Sequence, residues 1–176
     1  MTDSSILHYV IQLRTSWLDD VMLFATTIGG GGFVWFATAA IASVFPARRG
    51  KAWRLILAAL FTWMVVDGLV KPLVSRPRPF EVDPQIKLID QRPLNASFPS
   101  GHAAMAMAGA LAGTRLFPSA GWLMWPLAVV IACSRIYLGV HWPSDVLAGA
   151  LVGLACGWFV VGGRCADLAR LKTFTI

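Results

Sequence analysis

The chain has 176 residues, of which 57% are hydrophobic and only 14% are charged. A soluble domain of this size cannot bury so much apolar surface, and the same composition excludes a disordered chain, a disulfide-stapled scaffold and a coiled coil. The net charge of +6 comes from lysines and arginines in short groups between apolar runs. Because they form no basic stripe, no nucleic-acid partner is expected. The composition therefore indicates an integral membrane protein.

The N-terminal segment, residues 1–17, is predicted to form a short helix that lies in the membrane interface. Its apolar residues recur at helical spacing, with polar residues between them: Ile6, Val10, Leu13 and Trp17. The segment is too polar for a cleavable signal peptide and has no basic start followed by an apolar block. His8 matches no motif and is interpreted as a polar residue of the interface.

Five apolar runs follow, and each is predicted to be a membrane-spanning helix. They cover residues 20–45, 52–74, 100–117, 120–138 and 143–162. The first run contains Gly29–Gly32, which indicates a kink or a point of close packing. The sequence thus predicts an all-α, polytopic membrane helix bundle in a single domain, with about five transmembrane helices and an N-terminal interfacial helix.

An odd number of spans puts the two termini on opposite sides of the membrane. One side then carries a single acid, Asp167, and a group of cations: Arg48, Arg49, Lys51, Arg54, Arg115, Arg164, Arg170 and Lys172. Several cations of the other side stand in the candidate site described next. By the positive-inside rule the first side is predicted to be cytoplasmic.

The unusual polar residues collect in three segments that this topology places at the non-cytoplasmic face. They are residues 67–79, 97–102 and 134–145. The loops 75–99 and 135–145 are therefore predicted to form an active site. Histidines, cations and a carboxylate at one depth of a membrane are costly, and such a group usually marks function.

Five residues of these segments suit the binding of a phosphoryl group. Lys71, Arg78 and Arg135 supply positive charge, and guanidinium groups match phosphate oxygens in shape. Ser100 and Gly101 open a predicted helix, where free backbone N–H groups favour an anion.

Three other residues of these segments suit covalent displacement at phosphorus. His102 and His141 can supply a nucleophile and a proton donor. Asp145 follows His141 by four residues and falls in the first turn of the last predicted helix. From there it can accept a hydrogen bond from one imidazole nitrogen and leave the other nitrogen free to attack.

The three segments resemble the signature of the type 2 phosphatidic acid phosphatase superfamily, which includes bacterial undecaprenyl-pyrophosphate phosphatases and vanadium haloperoxidases. Its blocks are Lys-x6-Arg-Pro, Pro-Ser-Gly-His and Ser-Arg-x5-His-x3-Asp. Every fixed position is filled: Lys71, Arg78, Pro79, Pro99, Ser100, Gly101, His102, Ser134, Arg135, His141 and Asp145. The resemblance covers about residues 52–161. Many membrane members have six spans, whereas here the first is absent or reduced to the interfacial helix.

The resemblance implies a role for each matching residue. His141 is the expected nucleophile that forms a phosphohistidine, Asp145 orients it, and His102 protonates the leaving oxygen and then activates water. The phosphate oxygens are expected to contact Lys71, Arg78, Arg135, Ser100 and the Gly101 amide. The family's membrane members work without a metal, and no metal-ligand cluster stands out in the sequence, so no metal or other cofactor is expected.

As to function, the resemblance implies a lipid phosphatase of the bacterial cytoplasmic membrane, with its active site facing the periplasm or exterior. Undecaprenyl pyrophosphate is the favoured substrate. Phosphatidylglycerophosphate, phosphatidate and lipid A 1-phosphate are alternatives, as is transfer of the phosphoryl group to a second lipid. A non-enzymatic alternative is an anion-binding transport module, although five short spans leave little room for a polar pathway. The sequence leaves the oligomeric state open.

Other polar residues near these motifs have two interpretations each. Asp67 lies one helical turn before Lys71 and either pairs with it or takes part in catalysis. Arg76 and Arg92 are interpreted as solvated charges, with contact to a second phosphate as the alternative. Ser134 either packs and caps or supports the site, and Pro79 and Pro99 are supporting residues.

Overall fold

The computed structural model describes residues 2–162, and every regular element among them is helical. The α-helices are α1 (Asp3–Gln12), α2 (Ser16–Gly29), α3 (Phe33–Val44), α4 (Pro46–Trp63), α5 (Lys71–Val74), α6 (Pro79–Val82), α7 (Gly101–Leu116), α8 (Gly121–Tyr137) and α9 (Pro143–Gly162). The predicted all-α membrane bundle is confirmed. Arg164, Asp167, Arg170 and Lys172 lie outside the described residues.

Four helical stretches of the described chain are long and apolar enough to cross a membrane. They are Ser16–Val44, Pro46–Val82, Pro118–Tyr137 and Pro143–Gly162. The remaining predicted span corresponds to α7, which has 16 residues and is therefore shorter than about 20 residues, the usual length of a spanning helix. It packs against α4, α8 and α9, so that most of its small side chains are buried.

The N-terminal segment differs from the predicted 1–17 helix. Helix α1 ends at Gln12, and Ser16 and Trp17 already belong to α2, because Thr15 takes an extended conformation and starts the new helix. Helix α1 also packs against α8 and α9 and buries Leu7 completely. It is thus a part of the bundle as well as an amphipathic segment.

The first spanning stretch bends at its glycines. A single 3₁₀ turn, Gly30–Gly32, joins α2 to α3, and Gly31 and Gly32 have φ values of 56° and 76°. Residues other than glycine rarely adopt this left-handed backbone conformation, so the glycines allow the kink that is expected there.

Helices α7 and α9 approach closely along a row of small residues. A Cβ atom on Gly149 would lie 2.4 Å from the Ser100 carbonyl oxygen, and one on Gly153 would lie 2.0 Å from that of Ala104. Glycines four residues apart let helix backbones pack this closely in membranes. The start of α7, with His102, is thereby held beside the start of α9, with Asp145.

The topology brings the end of α5, the start of α7, the end of α8 and the start of α9 to one end of the bundle. The opposite end carries cations, and Lys51, Arg54 and Arg115 line a small cavity there. The three polar segments therefore meet at one end, as the sequence predicts.

Candidate active site

A cavity of about 440 Å³ opens at the end of the bundle where the polar segments meet. This volume lies within the range of about 300–1,000 Å³ that is usual for ligand sites. Eight of the polar-segment and loop residues singled out in the sequence line it: Asp67, Lys71, Arg78, Arg92, Gly101, His102, Arg135 and His141. Both histidines and all three predicted phosphate-binding cations therefore share one cavity.

The imidazole of His141 lies in the turn between α8 and α9, with one nitrogen toward Asp145 and the other toward Arg78, which also lines the cavity. Its Nδ1 is 3.6 Å from Asp145 Oδ2, and its Nε2 is 3.3 Å from Arg78 Nη1. A guanidinium can only donate, so we assign Nε2 as an acceptor and place the proton on Nδ1. This tautomer leaves the lone pair of the ring on Nε2, beside the guanidinium of Arg78.

The Ser97 hydroxyl connects the same two side chains. Its Oγ donates to Asp145 Oδ2 over 2.5 Å and lies 3.4 Å from His141 Nδ1. A hydroxyl can donate one hydrogen bond and accept others, so Ser97 can accept a hydrogen bond from the Nδ1–H of His141 while it donates to the carboxylate. The three groups together set the orientation of the imidazole.

The environment of His141 favours its neutral form. The pKa of His141 is lowered from its ordinary value of 6.5 to about 3, chiefly by burial and in part by the charges of Arg78 and Arg135, against the opposing effect of Asp145. A neutral imidazole has a free lone pair, which a nucleophile requires.

Asp145 is fully buried at the start of α9, and both of its carboxylate oxygens have donors. The backbone N–H of Trp142 donates to Oδ2 over 3.0 Å, and Arg76 Nη1 donates to Oδ1 over 2.6 Å. Such a carboxylate is held in one orientation, which suits it to orient a neighbouring imidazole.

Arg78 is almost completely buried and fixes the loop before α7 to the cavity wall. Its Nε and Nη2 donate to the backbone and side-chain oxygens of Asn95 over 2.8 and 2.7 Å. Its Nη1 donates to the Val140 carbonyl oxygen over 2.6 Å. The guanidinium is therefore positioned beside His141 before any ligand contacts it.

Arg135 lies in the last turn of α8 and is 4% exposed. Its Nη1 donates to the Thr26 hydroxyl and is 3.3 Å from Asp90 Oδ2. Its Nε is buried and has no hydrogen-bond partner among the described residues. Buried guanidinium N–H groups are normally paired, so this donor is suited to an oxygen of a bound ligand.

A rare π-helical segment, Met64–Val70, joins α4 to α5 and presents the pair of Asp67 and Lys71 to the cavity. Lys71 Nζ donates to Asp67 Oδ1 over 2.7 Å, which is the pairing expected from their spacing. A Cβ on Gly101 would lie 3.2 Å from Asp67 Oδ2. π-helical turns are often found at functional sites, and this one brings the pair against the start of α7.

Some predicted residues lie outside the cavity lining. Ser100, predicted to bind phosphate, is fully buried as the N-cap of α7, where its hydroxyl accepts from Ala103 N over 3.5 Å. Ser134 Oγ donates to the Ile131 carbonyl oxygen over 2.7 Å and therefore packs within its own helix. Pro79 begins α6 and Pro99 is buried in the turn before α7.

One interpretation of a single residue was wrong: Arg76, interpreted as a solvated charge, donates to the buried carboxylate of Asp145. His8 Nε2 lies 3.0 Å from Asp83 Oδ2, and its interpretation as a polar residue of the interface stays a prediction. Four further residues that contact the site have no predicted role: Thr26, Asp90, Asn95 and Ser97. Only Arg76 and Ser97 had a signal, because each lies within or beside a signature block.

Within residues 2–162, no group of three or more His, Cys, Asp or Glu side chains is arranged to hold a metal ion. The site's charge is instead supplied by Lys71, Arg78 and Arg135. These cations can bind a phosphoryl group, and His141 can present a neutral imidazole to it.

Comparison with known proteins identifies the class to which this site belongs. The family model of the PAP2 superfamily matches residues 51–164. The chain therefore belongs to the PAP2 superfamily, and its phosphatase relatives make it a phosphoric ester hydrolase.

Individual relatives cover most of the chain. The undecaprenyl-diphosphatase of Sulfolobus acidocaldarius is 34% identical over 140 residues, which are 77% of this chain and 66% of that protein. The decaprenylphosphoryl-5-phosphoribose phosphatase of Mycobacterium tuberculosis is 38% identical over 163 residues, which are 88% of this chain and 89% of that protein. The crystal structure of Aquifex aeolicus LpxE superposes with a TM-score of 0.77 at 30% identity and covers 90% of this chain and 93% of that one.

Proposed function

We propose that the protein is a lipid phosphatase that hydrolyses a polyprenyl-linked phosphate through a phosphohistidine at His141. One observation carries this proposal: His141, His102 and three cations line the same cavity. A transport module would need no imidazole backed by a fully buried carboxylate such as Asp145.

In the first step, His141 Nε2 attacks the phosphorus atom and forms the N–P bond. The bond between phosphorus and the lipid-side oxygen breaks, and its electron pair stays on that oxygen, to which His102 gives a proton. Lys71, Arg78 and Arg135 stabilise the charge on the other phosphate oxygens. Asp145 stabilises the positive charge that develops on the imidazole of His141.

In the second step, a water molecule attacks the phosphorus of the phosphohistidine. His102 takes one proton from this water, the N–P bond breaks, and its electron pair returns to His141 Nε2. Inorganic phosphate leaves, and the proton that His102 has taken from water restores the protonated state from which the first step began.

Undecaprenyl pyrophosphate is the first candidate substrate, cleaved to the monophosphate and inorganic phosphate. An undecaprenyl-diphosphatase is among the relatives, and the cavity offers three cations plus Arg92 at its wall for a highly charged head group. The second candidate is a decaprenylphosphoryl-5-phosphoribose, because the mycobacterial phosphatase with this substrate in its name aligns with 88% of the chain. We place the enzyme in the bacterial cytoplasmic membrane with the cavity facing outward, since cations lie at the opposite end of the bundle.

Phosphate release by the purified protein in detergent, with EDTA present, tests this function. The panel contains undecaprenyl pyrophosphate, decaprenylphosphoryl-5-phosphoribose, phosphatidylglycerophosphate, phosphatidate and lipid A 1-phosphate. We expect the highest kcat/KM with a polyprenyl substrate. Higher kcat/KM with a glycerolipid or lipid A would overturn the substrate assignment, and no release from any of them would favour a binding or transport module.

The covalent step is tested by substitution of His141. His141→Ala removes the nucleophile and is expected to abolish turnover, whereas Arg135→Ala removes one charge-stabilising donor and is expected to lower kcat by about 10²–10³. Substantial activity of His141→Ala would contradict the phosphohistidine mechanism. Lys87→Gln is the matched control, because Lys87 is exposed on the same loop as Asn95 but does not line the cavity.

A further inference from the structure

Arg76 connects Asp145, the carboxylate beside His141, to the N-terminal helix α1. Its Nη1 donates to Asp145 Oδ1 over 2.6 Å and to the Ser144 hydroxyl over 2.7 Å. Its Nη2 donates to Asp3 Oδ2 over 2.9 Å, and its guanidinium carbon lies 5.4 Å from the centre of the Trp142 ring. The side chain therefore connects α1 and the start of α9 from the loop after α5.

The contact with Arg76 is electrostatically important because Asp145 is fully buried. A buried carboxylate is stable as an anion only when a counter-charge and hydrogen bonds replace the lost water. Ser97 and the Trp142 N–H supply hydrogen bonds to Oδ2, whereas Arg76 is the side chain that contacts Oδ1. Without Arg76, the carboxylate would lose both this charge and the contact that sets its rotation.

Asp3 in turn holds Arg76 in place. Its two carboxylate oxygens accept from the Ser144 backbone N–H over 3.0 Å, from the Ser144 hydroxyl and from Arg76 Nη2. Burial acts to raise the pKa of Asp3, but the hydrogen bonds from Ser144 and Arg76 outweigh it, so that this pKa is lowered and the group stays anionic. The first turn of α1 is thus fastened to the first turn of α9.

We propose that Arg76 is a positioning residue for the reaction, which acts through Asp145 to hold the imidazole of His141 in its attacking orientation, and that Asp3 keeps Arg76 in this place. The inference rests on the proposed function, since it requires His141 to be the nucleophile. It gives the N-terminal helix a role in catalysis, although α1 contributes no residue to the cavity lining. Arg76 itself also stands outside that lining, so it acts on the rate rather than on substrate binding.

The test compares kcat and KM of the full-length protein with undecaprenyl pyrophosphate, or with the best substrate of the panel above. Arg76→Gln is expected to lower kcat by about 10–100-fold, by analogy with the loss found when the outer partner that orients a metal-ligating side chain is removed, and to change KM little. Arg76→Lys should recover part of the loss, because a single ammonium can still reach one carboxylate. Lys87→Gln, which removes a positive charge elsewhere at the same end, should keep the wild-type kcat.

A double-mutant cycle tests the part played by Asp3. Asp3→Asn alone should lower kcat by less than Arg76→Gln, and it should lower kcat no further when Arg76→Gln is already present, since Asp3 acts through that arginine. Additive losses in the double variant would overturn the role of Asp3. Asp3→Asn also keeps the inference testable if Arg76→Gln does not fold, because Asp3 makes no contact with the carboxylate of Asp145.

The outcomes separate this inference from the proposed function. If His141→Ala is inactive while folded Arg76→Gln keeps the wild-type kcat, the positioning role is wrong and the proposed function stands. If His141→Ala retains activity, the proposed mechanism fails first. A raised KM with unchanged kcat in Arg76→Gln would overturn the inference as well, because it would place Arg76 in substrate binding.

Discussion

The carboxylate of Asp90 lies 3.3 Å from the guanidinium of Arg135, inside the cavity that we propose binds phosphate. Asp90 belongs to the loop between α6 and α7 and is partly exposed. A carboxylate in this place competes with an anionic ligand for the same guanidinium. Asp90→Asn is therefore expected to bind inorganic phosphate about 2- to 10-fold more tightly, which corresponds to about 1 kcal/mol for a partly exposed ion pair.

Product inhibition measures this effect directly. The inhibition constant of inorganic phosphate should fall in Asp90→Asn and remain unchanged in Asp20→Asn, a control that removes an exposed carboxylate from α2. Equal inhibition constants in the wild type and in Asp90→Asn would show that this carboxylate does not compete with phosphate.

His102 is expected to matter most when the leaving group needs a proton. His102→Ala should lower kcat with a lipid phosphate by about 10²–10⁴, the usual contribution of a general acid. With p-nitrophenyl phosphate the first step should be much less affected, since nitrophenolate leaves as an anion. The second step still lacks its base, so an acid-labile phosphoenzyme should accumulate.

Rapid quenching with radiolabelled nitrophenyl phosphate detects that intermediate. His102→Ala should retain label on the protein, and the double variant with His141→Ala should retain none. If His102→Ala loses the same factor with both substrates and accumulates no label, His102 does not act as the acid and base.

The buried imidazole of His141 also predicts how folding stability depends on pH. Its pKa is about 3 in the folded protein against 6.5 ordinarily, so the unfolded chain binds the proton more readily. The stability contributed by neutral His141 is therefore fully present above pH 6.5 and is lost as the pH falls toward 3. The loss approaches about 1.4 kcal/mol per pH unit for this one group.

His141→Gln removes the titration, because an amide does not take up a proton in this range. Thermal unfolding in detergent between pH 7 and pH 4.5 should therefore show a smaller decrease of Tm in His141→Gln than in the wild type. Parallel decreases in the two proteins would mean that His141 is not buried in its neutral form.

Much of the fold could be predicted because lipid-facing helices are long runs of apolar residues, which a hydropathy profile shows directly. The spans around Phe33–Val44 and Pro143–Gly162 needed only their apolar runs to be found. The N-terminal segment was harder, since α1 and α2 are separated by a change of backbone direction at Thr15 and not by a change in composition. The burial of Leu7 depends on α8 and α9, which no local pattern of residues 1–17 reveals.

In the candidate site, too, some residues could be predicted from the sequence and others could not. His102, His141 and Asp145 stand at helix ends with fixed spacing, so their proximity follows from topology. The contacts of Arg76, Ser97 and Asn95 come from irregular loops whose paths are set by long-range hydrogen bonds such as that from Arg78 to the Asn95 carbonyl oxygen. Loop paths of this kind have no periodicity that a sequence could show.

The close packing of α7 against α9 predicts that a single methyl group should disturb both stability and activity. Gly153→Ala would place a Cβ 2.0 Å from the Ala104 carbonyl oxygen, so the helices must separate, at a cost of about 1–3 kcal/mol. His102 and Asp145 lie on these two helices, and kcat should fall with Tm. Gly50→Ala is the matched control: its Cβ meets open space, and alanine stabilises a helix by about 0.5–1 kcal/mol over glycine. Equal Tm values for the two variants would show that α7 and α9 can move apart without loss of stability. The row of glycines on α9 would then not position the site.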